Sequence, residues 1–273
     1  MTDIYWIYDL PNWQLALGII SIYLMVAVTG LLLCRRWFYR RFTPSFESNE
    51  MTNGIFSGVG MLYGLLVGLV AVAAWGNYDS VDDLVSREAS LVTSLYRDVS
   101  TLREPSRTVL REELEGYLEA VIQDEWPAHQ SGLKLADGAR VLTRFHQALA
   151  SYQPLNAGDQ SLYQEALAAF NRLSEARRLR IGAVSSGIPE VFWVVIIVGG
   201  LLTLPLIYLF YTPNVMTHLL VTSLYGTFMG FMMFLLAAID NPLRGEVSIS
   251  AEPYQSVLDS LTSLDPDGAQ PPP

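Results

Sequence analysis

TNGIFSGVGMLYGLLVGLVAVAAWGNYDSVDDLVSREASLVTSLYRDVSTLR, residues Thr52 to Arg103, decides the fold. Its first part, Ile55 to Trp75, carries no charge and is punctuated by Gly54, Gly58, Gly60, Gly64 and Gly68. Glycines four residues apart share one helical face, where a second helix backbone can approach closely. That face, and Gly58, Gly60, Gly64 and Gly68 above all, is expected to be a packing surface within or between subunits. From Asn77 the chain turns polar yet keeps a helical period, with no Pro or Gly before Pro105. Val85, Glu88, Val92, Leu95, Val99 and Leu102 fall at the two apolar positions of a heptad repeat. The spacing predicts one rod that leaves the membrane as an amphipathic helix.

Glu88 is the odd member of that seam. A carboxylate on an apolar face must be paired, hydrogen-bonded or protonated, since burying it alone costs several kcal/mol. Pairing with an arginine is one reading. A functional carboxylate is the other.

Working outward, 51% apolar residues, 16% charged residues and a positive mean hydropathy mark an integral membrane protein. Charge is absent from 10 to 34, from 51 to 78 and from 191 to 239. A helix crosses the hydrocarbon core in about 20 residues, and Thr212, Pro213 and Asn214 divide the last gap in two. Four spans follow: Trp13 to Cys34, Ile55 to Trp75, Ile188 to Tyr211 and Val215 to Ile239. The fold class is an all-α membrane protein with four transmembrane helices and a helical extramembrane bundle inserted between the second and third spans. Its segments are residues 1–76 with the first two spans, 77–187 as the bundle, 188–240 with the last two spans, and 241–273 as a C-terminal piece with a short helix and a disordered tail.

Asp3, Tyr5, Trp6, Tyr8 and Asp9 suit an interfacial lead-in, and with no basic region before it the first apolar run reads as a retained anchor. Arg35, Arg36, Arg40 and Arg41 form a short basic loop after the first span, which the positive-inside rule puts in the cytoplasm. Both termini and the bundle then lie outside an inner membrane. Arg177, Arg178 and Arg180 argue the other way, but long loops translocate largely regardless of charge.

In the bundle, Val109, Leu110, Leu114, Tyr117, Leu118, Val121 and Ile122 trace an apolar stripe expected to end at Pro127. A second helix is expected over Ala139 to Tyr152 and a third over Gln160 to Val184, with Leu162, Ala166, Phe170 and Leu173 inward. Pro205 is expected to kink the third span. Thr217, His218, Thr222, Ser223, Tyr225, Thr227 and Gly230 in the fourth span suit helix packing, and secondarily a polar path. Asp240, Asn241, Pro242 and Arg244 mark the span exit; an Asp there opposes the helix dipole, and Arg244 offers it an ion pair. Glu252 to Leu264 is a last amphipathic helix before the tail Asp265 to Pro273.

The glycine-rich second span leading into Glu88, Ala89, Leu91, Leu95, Tyr96 and Arg97, with Asp240-Asn241-Pro242-Leu243-Arg244-Gly245 far downstream, resembles the bacterial bestrophin-like family over nearly the whole chain. The resemblance implies a relation to homopentameric channels whose four-span subunits line a pore with the second span. Bestrophins use bulky apolar and aromatic residues every four positions as a neck, where this chain has Gly60, Gly64 and Gly68, and no acidic calcium clasp is evident. Anion selectivity and calcium gating are therefore not carried over.

The functional expectation is a homo-oligomeric pore passing inorganic ions across the lipid bilayer. Glu88 is the candidate filter or gate, Asp79, Asp82 and Asp83 would gather cations at its mouth, and Asn77 would stand at the entrance. The alternative is a non-conducting scaffold or sensor whose bundle binds a partner or ligand. A net charge of −10 argues against nucleic acid. Neither cofactor nor metal is expected: His129, His146, His218 and the single Cys34 lack ligand spacing, and no nucleophile, base and orienter recur as an enzyme would need.

Overall fold

The computed structural model describes residues 10–42, 45–135 and 137–264. The lead-in aromatics and the C-terminal tail singled out above lie outside the described residues. Among the described residues nine α-helices follow in order: α1 (Asn12–Phe42), α2 (Phe46–Ser100), α3 (Ser106–Ala120), a π segment (Val121–Glu125), α4 (Trp126–Gln130), α5 (Asp137–Ala150), α6 (Ala157–Ala183), α7 (Glu190–Tyr208), α8 (Val215–Ile239) and α9 (Glu252–Leu264). Among the described residues there is no strand. Helices α1, α2, α7 and α8 are long and apolar enough to cross a membrane.

The chain folds as two compact units. One takes the chain up to Tyr78 with Gly187–Asn241 and Gly245–Val247; the other takes Asp79–Ser186 with Pro242–Arg244 and the chain from Ser248 on. The C-terminal helix therefore belongs to the bundle unit, where a separate C-terminal piece was expected. The cause is burial: Tyr254 and Leu261 of α9 are fully enclosed.

In the membrane unit α8 lies against α1. A Cβ at Gly226 would stand 2.8 Å from the Ala27 Cβ, and one at Gly230 would stand 2.7 Å from the Ile20 Cα, so both positions need glycine for backbone contact. The Tyr63 ring fills the hollows over Gly199 and Gly200 of α7, and its hydroxyl donates to the Ile196 carbonyl at 3.0 Å. Fourth-span polarity serves this packing: His218 and Thr222 are buried, and the His218 ring lies 3.1 Å from the Ile207 carbonyl.

The basic cluster is helical, not a loop. Arg40 and Arg41 occupy the last turn of α1, where cations suit the negative end of the dipole. Arg35 donates to the Thr212 carbonyl at 2.9 Å, and the Tyr39 hydroxyl accepts from the Thr212 amide at 2.9 Å. Asn49 of α2 brackets the Tyr211 backbone, donating to its carbonyl at 3.1 Å and accepting from its amide at 2.8 Å. The α7–α8 turn is thus fastened at the arginine end of α1.

The bundle unit packs around the predicted seam of α2: Val85, Glu88, Val92, Leu95, Val99 and Leu102 are all buried. Leu110, Leu114 and Tyr117 of α3, Phe145 and Leu149 of α5, and Ala166 and Leu173 of α6 complete this core. Two expectations give way. Pro127 does not stop the helix, which runs on to Gln130, because the π segment before it leaves Pro127 in the first turn of α4, where no amide is missed. Leu162 points outward and is 41% exposed; Ala166 and Ala169 form the inner face there.

Candidate functional site

The heptad places Glu88 inside the bundle unit, and the structure surrounds it with four other chemically active residues. Arg180 of α6 reaches it with Nε to Oε2 at 2.8 Å and Nη2 to Oε1 at 3.2 Å. The Tyr117 hydroxyl donates to Oε1 as well. Arg180 also spans to Glu125, Nη2 to Oε2 at 3.0 Å, and Arg177 grips Glu125 with two bonds of 2.8 and 2.6 Å. Two carboxylates and two guanidiniums alternate, so the cluster is formally neutral and each buried charge has its partner.

The π segment makes this possible. One residue more per turn redirects Glu125 into the core, where its Oε1 also accepts from the Gly138 amide at 2.9 Å. No apolar period betrays such a turn, and Gln123-Asp124-Glu125 reads in the sequence as a solvated run. Burial would raise the Glu125 pKa, but the bonds and charges of Arg177 and Arg180 outweigh it and hold the carboxyl below its ordinary range. Burial likewise opposes the Arg180 charge, and Glu88 beside it prevails, so the guanidinium is held firmly protonated. Arg180 Nη1 stands 3.1 Å from Nδ1 of His129. A guanidinium can only donate, which places the ring proton on Nε2, an atom with no protein partner among the described residues. Burial, then the positive charge of Arg180, push this imidazole down to about 4. The rings of Trp126 and Tyr254 lie 5.9 and 5.7 Å from the Arg180 guanidinium.

Glu88 is therefore not a pore carboxylate presented to a lumen. Its 0% exposure and its bonds to Arg180 and Tyr117 occupy it inside the bundle, which corrects the filter expectation in favour of the ion pair. Asp79, Asp82 and Asp83 are exposed on α2. Helical geometry sets Asp79 and Asp83 on the side of α2 opposite its buried seam. Asn77 does not share their side: it turns toward α7 and lines a groove with Phe192. At the span exit, Asp240 is buried and its Oδ1 accepts the Ile188 amide at 2.6 Å, while Asn241 donates to Oδ2 at 3.1 Å. The carboxylate that opposes its own helix dipole thus serves the chain leading into α7. The Pro242 carbonyl accepts from Ile249, and Arg244 stands over Gly132, whose φ of +74° and lack of a Cβ leave the room.

Among the described residues the first five glycines of α2 have no close neighbour within the chain. A Cβ at Gly54, Gly58, Gly60, Gly64 or Gly68 would meet nothing within 4 Å. Among the described residues no three His, Cys, Asp or Glu side chains converge as a metal site.

A family model described as a Bestrophin-like domain matches residues 21–254. Among solved structures, a bacterial bestrophin homologue from Klebsiella pneumoniae aligns with a TM-score of 0.70 at 12% identity, covering 93% of this chain and 99% of that one. A point variant of such a homologue from the same organism aligns with a TM-score of 0.70 at 11% identity, covering 92% of this chain and 99% of its own. No curated protein matches the chain.

Proposed function

Because the chain belongs to the bestrophin-like family, we propose that it assembles with copies of itself into an ion channel lined by the outward side of α2, and that it passes cations. The observation that carries this reading is the two-sidedness of α2. Tyr63, Val67, Val70, Ala74, Val81, Val85, Glu88, Val92, Leu95 and Val99 are buried along one side, while Gly58, Met61, Leu65, Val72, Asp79, Asp83, Ser90 and Ser94 are exposed on the other. A helix with an exposed side that passes from apolar to acidic and hydroxyl residues suits a symmetric axis, where each residue becomes a ring. Asp79, Asp82 and Asp83 stand just past the apolar stretch, and rings of carboxylate enrich cations there. Arg87 and Arg97 follow further along α2. Gly60, Gly64 and Gly68, between the buried and outward sides, fit close contact with a neighbouring copy. The positive-inside rule supports a cytoplasmic location for the arginine end of α1 and the α7–α8 turn tied to it, in an inner membrane with the bundle outside.

The test is flux into proteoliposomes holding purified protein, under potassium and chloride gradients. Potassium flux that falls several-fold when Asp79, Asp82 and Asp83 are all changed to Asn supports an acidic mouth. Chloride flux indifferent to these changes overturns the cation assignment. No flux of any ion from folded, oligomeric protein leaves the scaffold or sensor reading.

A further inference from the structure

The groove that takes Asn77 lies wholly in the membrane unit, between α2 and α7, and has a volume of about 320 Å³. That is at the lower end of ligand-pocket sizes, roughly 300–1,000 Å³. Its walls are Leu66, Leu69, Ala73, Ile188 and Phe192, with Asn77 at one end beside the backbone of Gly187 to Pro189. The two helices close together at its other end, where Tyr63 bonds to Ile196 and its ring covers Gly199.

We propose that this groove binds an acyl chain of a membrane phospholipid, with the chain end toward Tyr63 and the polar part of the lipid toward Asn77. Three observations select this occupant. The walls are apolar and continuous with surfaces that hydrocarbon must cover, since Leu69, Val191, Val194 and Val195 are all exposed. The polarity is graded correctly: Asn77 stands at the end where Trp75 and Tyr78 stack at 5.8 Å, and Trp and Tyr favour the headgroup level. The contact of Tyr63 with Ile196 and Gly199 closes one end, so the groove suits the free end of a chain and not a helix that runs on past it. An acyl chain is thin enough to enter a groove closed at one end.

The experiment reconstitutes the protein with a phosphatidylcholine carrying a diazirine at the end of one acyl chain, exchanges free lipid for detergent, then photolyses and maps the labelled peptides. Label is expected on α2 between Leu66 and Ala73 and on α7 near Phe192. It should fall at least five-fold in Ala73→Phe, which fills the groove, and persist in Leu62→Phe, an exposed position on the same helix. Ala73→Leu replaces Ala73→Phe if the bulkier ring prevents folding, judged by helicity and oligomer size. Label distributed equally around α2, or unchanged by filling the groove, overturns the proposal. So does crosslinking of this segment to a second copy of the chain. These outcomes do not depend on whether the protein conducts.

Discussion

Arg180 stands between two carboxylates, paired with both Glu88 and Glu125 and itself fully buried. Arg180→Met leaves Glu88 and part of Glu125 buried without a counter-charge, and is expected to cost about 3–5 kcal/mol. Glu88→Gln keeps Arg180 paired with Glu125 and should cost less; denaturant melts of the two variants check the order. His129 supplies a pH dependence. Its folded pKa of about 4 lies below the ordinary 6.5, so the unfolded chain binds the extra proton first. Stability from this group is complete above about 6.5 and declines as pH falls toward 4, by about 3 kcal/mol in all. Glu125, with its lowered pKa, adds its own loss only below the ordinary carboxylate range, so between about 5 and 6.5 the difference between wild type and a His129 variant isolates the His129 contribution. His129→Gln keeps an acceptor for Arg180 and should flatten the melting temperature across that interval. Glu88 was legible in the sequence because a carboxylate interrupts an apolar period. Glu125, Tyr117 and His129 were not, since the π segment that aims Glu125 inward leaves no periodic mark and a hydroxyl or imidazole on an apolar face reads as packing.

Among the helices, the glycines divide into two kinds that sequence alone does not separate. A Cβ at Gly226 or Gly230 on α8 would press on α1, while one at Gly58, Gly60, Gly64 or Gly68 on α2 would meet nothing within 4 Å among the described residues. Gly230→Leu would drive a branched side chain into the Ile20 backbone and should cost more than the about 1–3 kcal/mol of ordinary overpacking. Loss of folded monomer on detergent chromatography is the readout. Gly64→Leu should leave the monomer's helicity and melting unchanged and alter only the oligomer peak. Spacing predicts that a glycine row is a close-contact surface, but partner choice is a tertiary matter. The seam of α2 was readable for the opposite reason: its partners are interchangeable apolar side chains, so the period alone suffices. Leu162 shows the limit of such patterns, since alanines on a neighbouring face let α6 approach more closely than a leucine would.

For the whole molecule, three charge-free gaps, the last divided by Thr212, Pro213 and Asn214, were enough to give the four spanning helices and the intervening bundle, because the thickness of hydrocarbon sets span length independently of partners. What the sequence did not reveal is that α9 completes the bundle unit, for a short amphipathic helix looks the same whether its apolar side is enclosed or free. Tyr254→Ala should therefore destabilise the bundle by about 3–5 kcal/mol, in the range for a buried aromatic, and be visible as faster proteolysis between Asp79 and Ser186. The bond from Ile188 to Asp240 joins residues 52 apart in the chain. On a ribosome adding about 5–20 residues per second, that carboxylate emerges about 3–10 s after the amide it will accept. Until then the start of α7 holds an unanswered donor at the membrane, and only synthesis through the end of α8 supplies the acceptor. The last two spans consequently complete this junction as a pair.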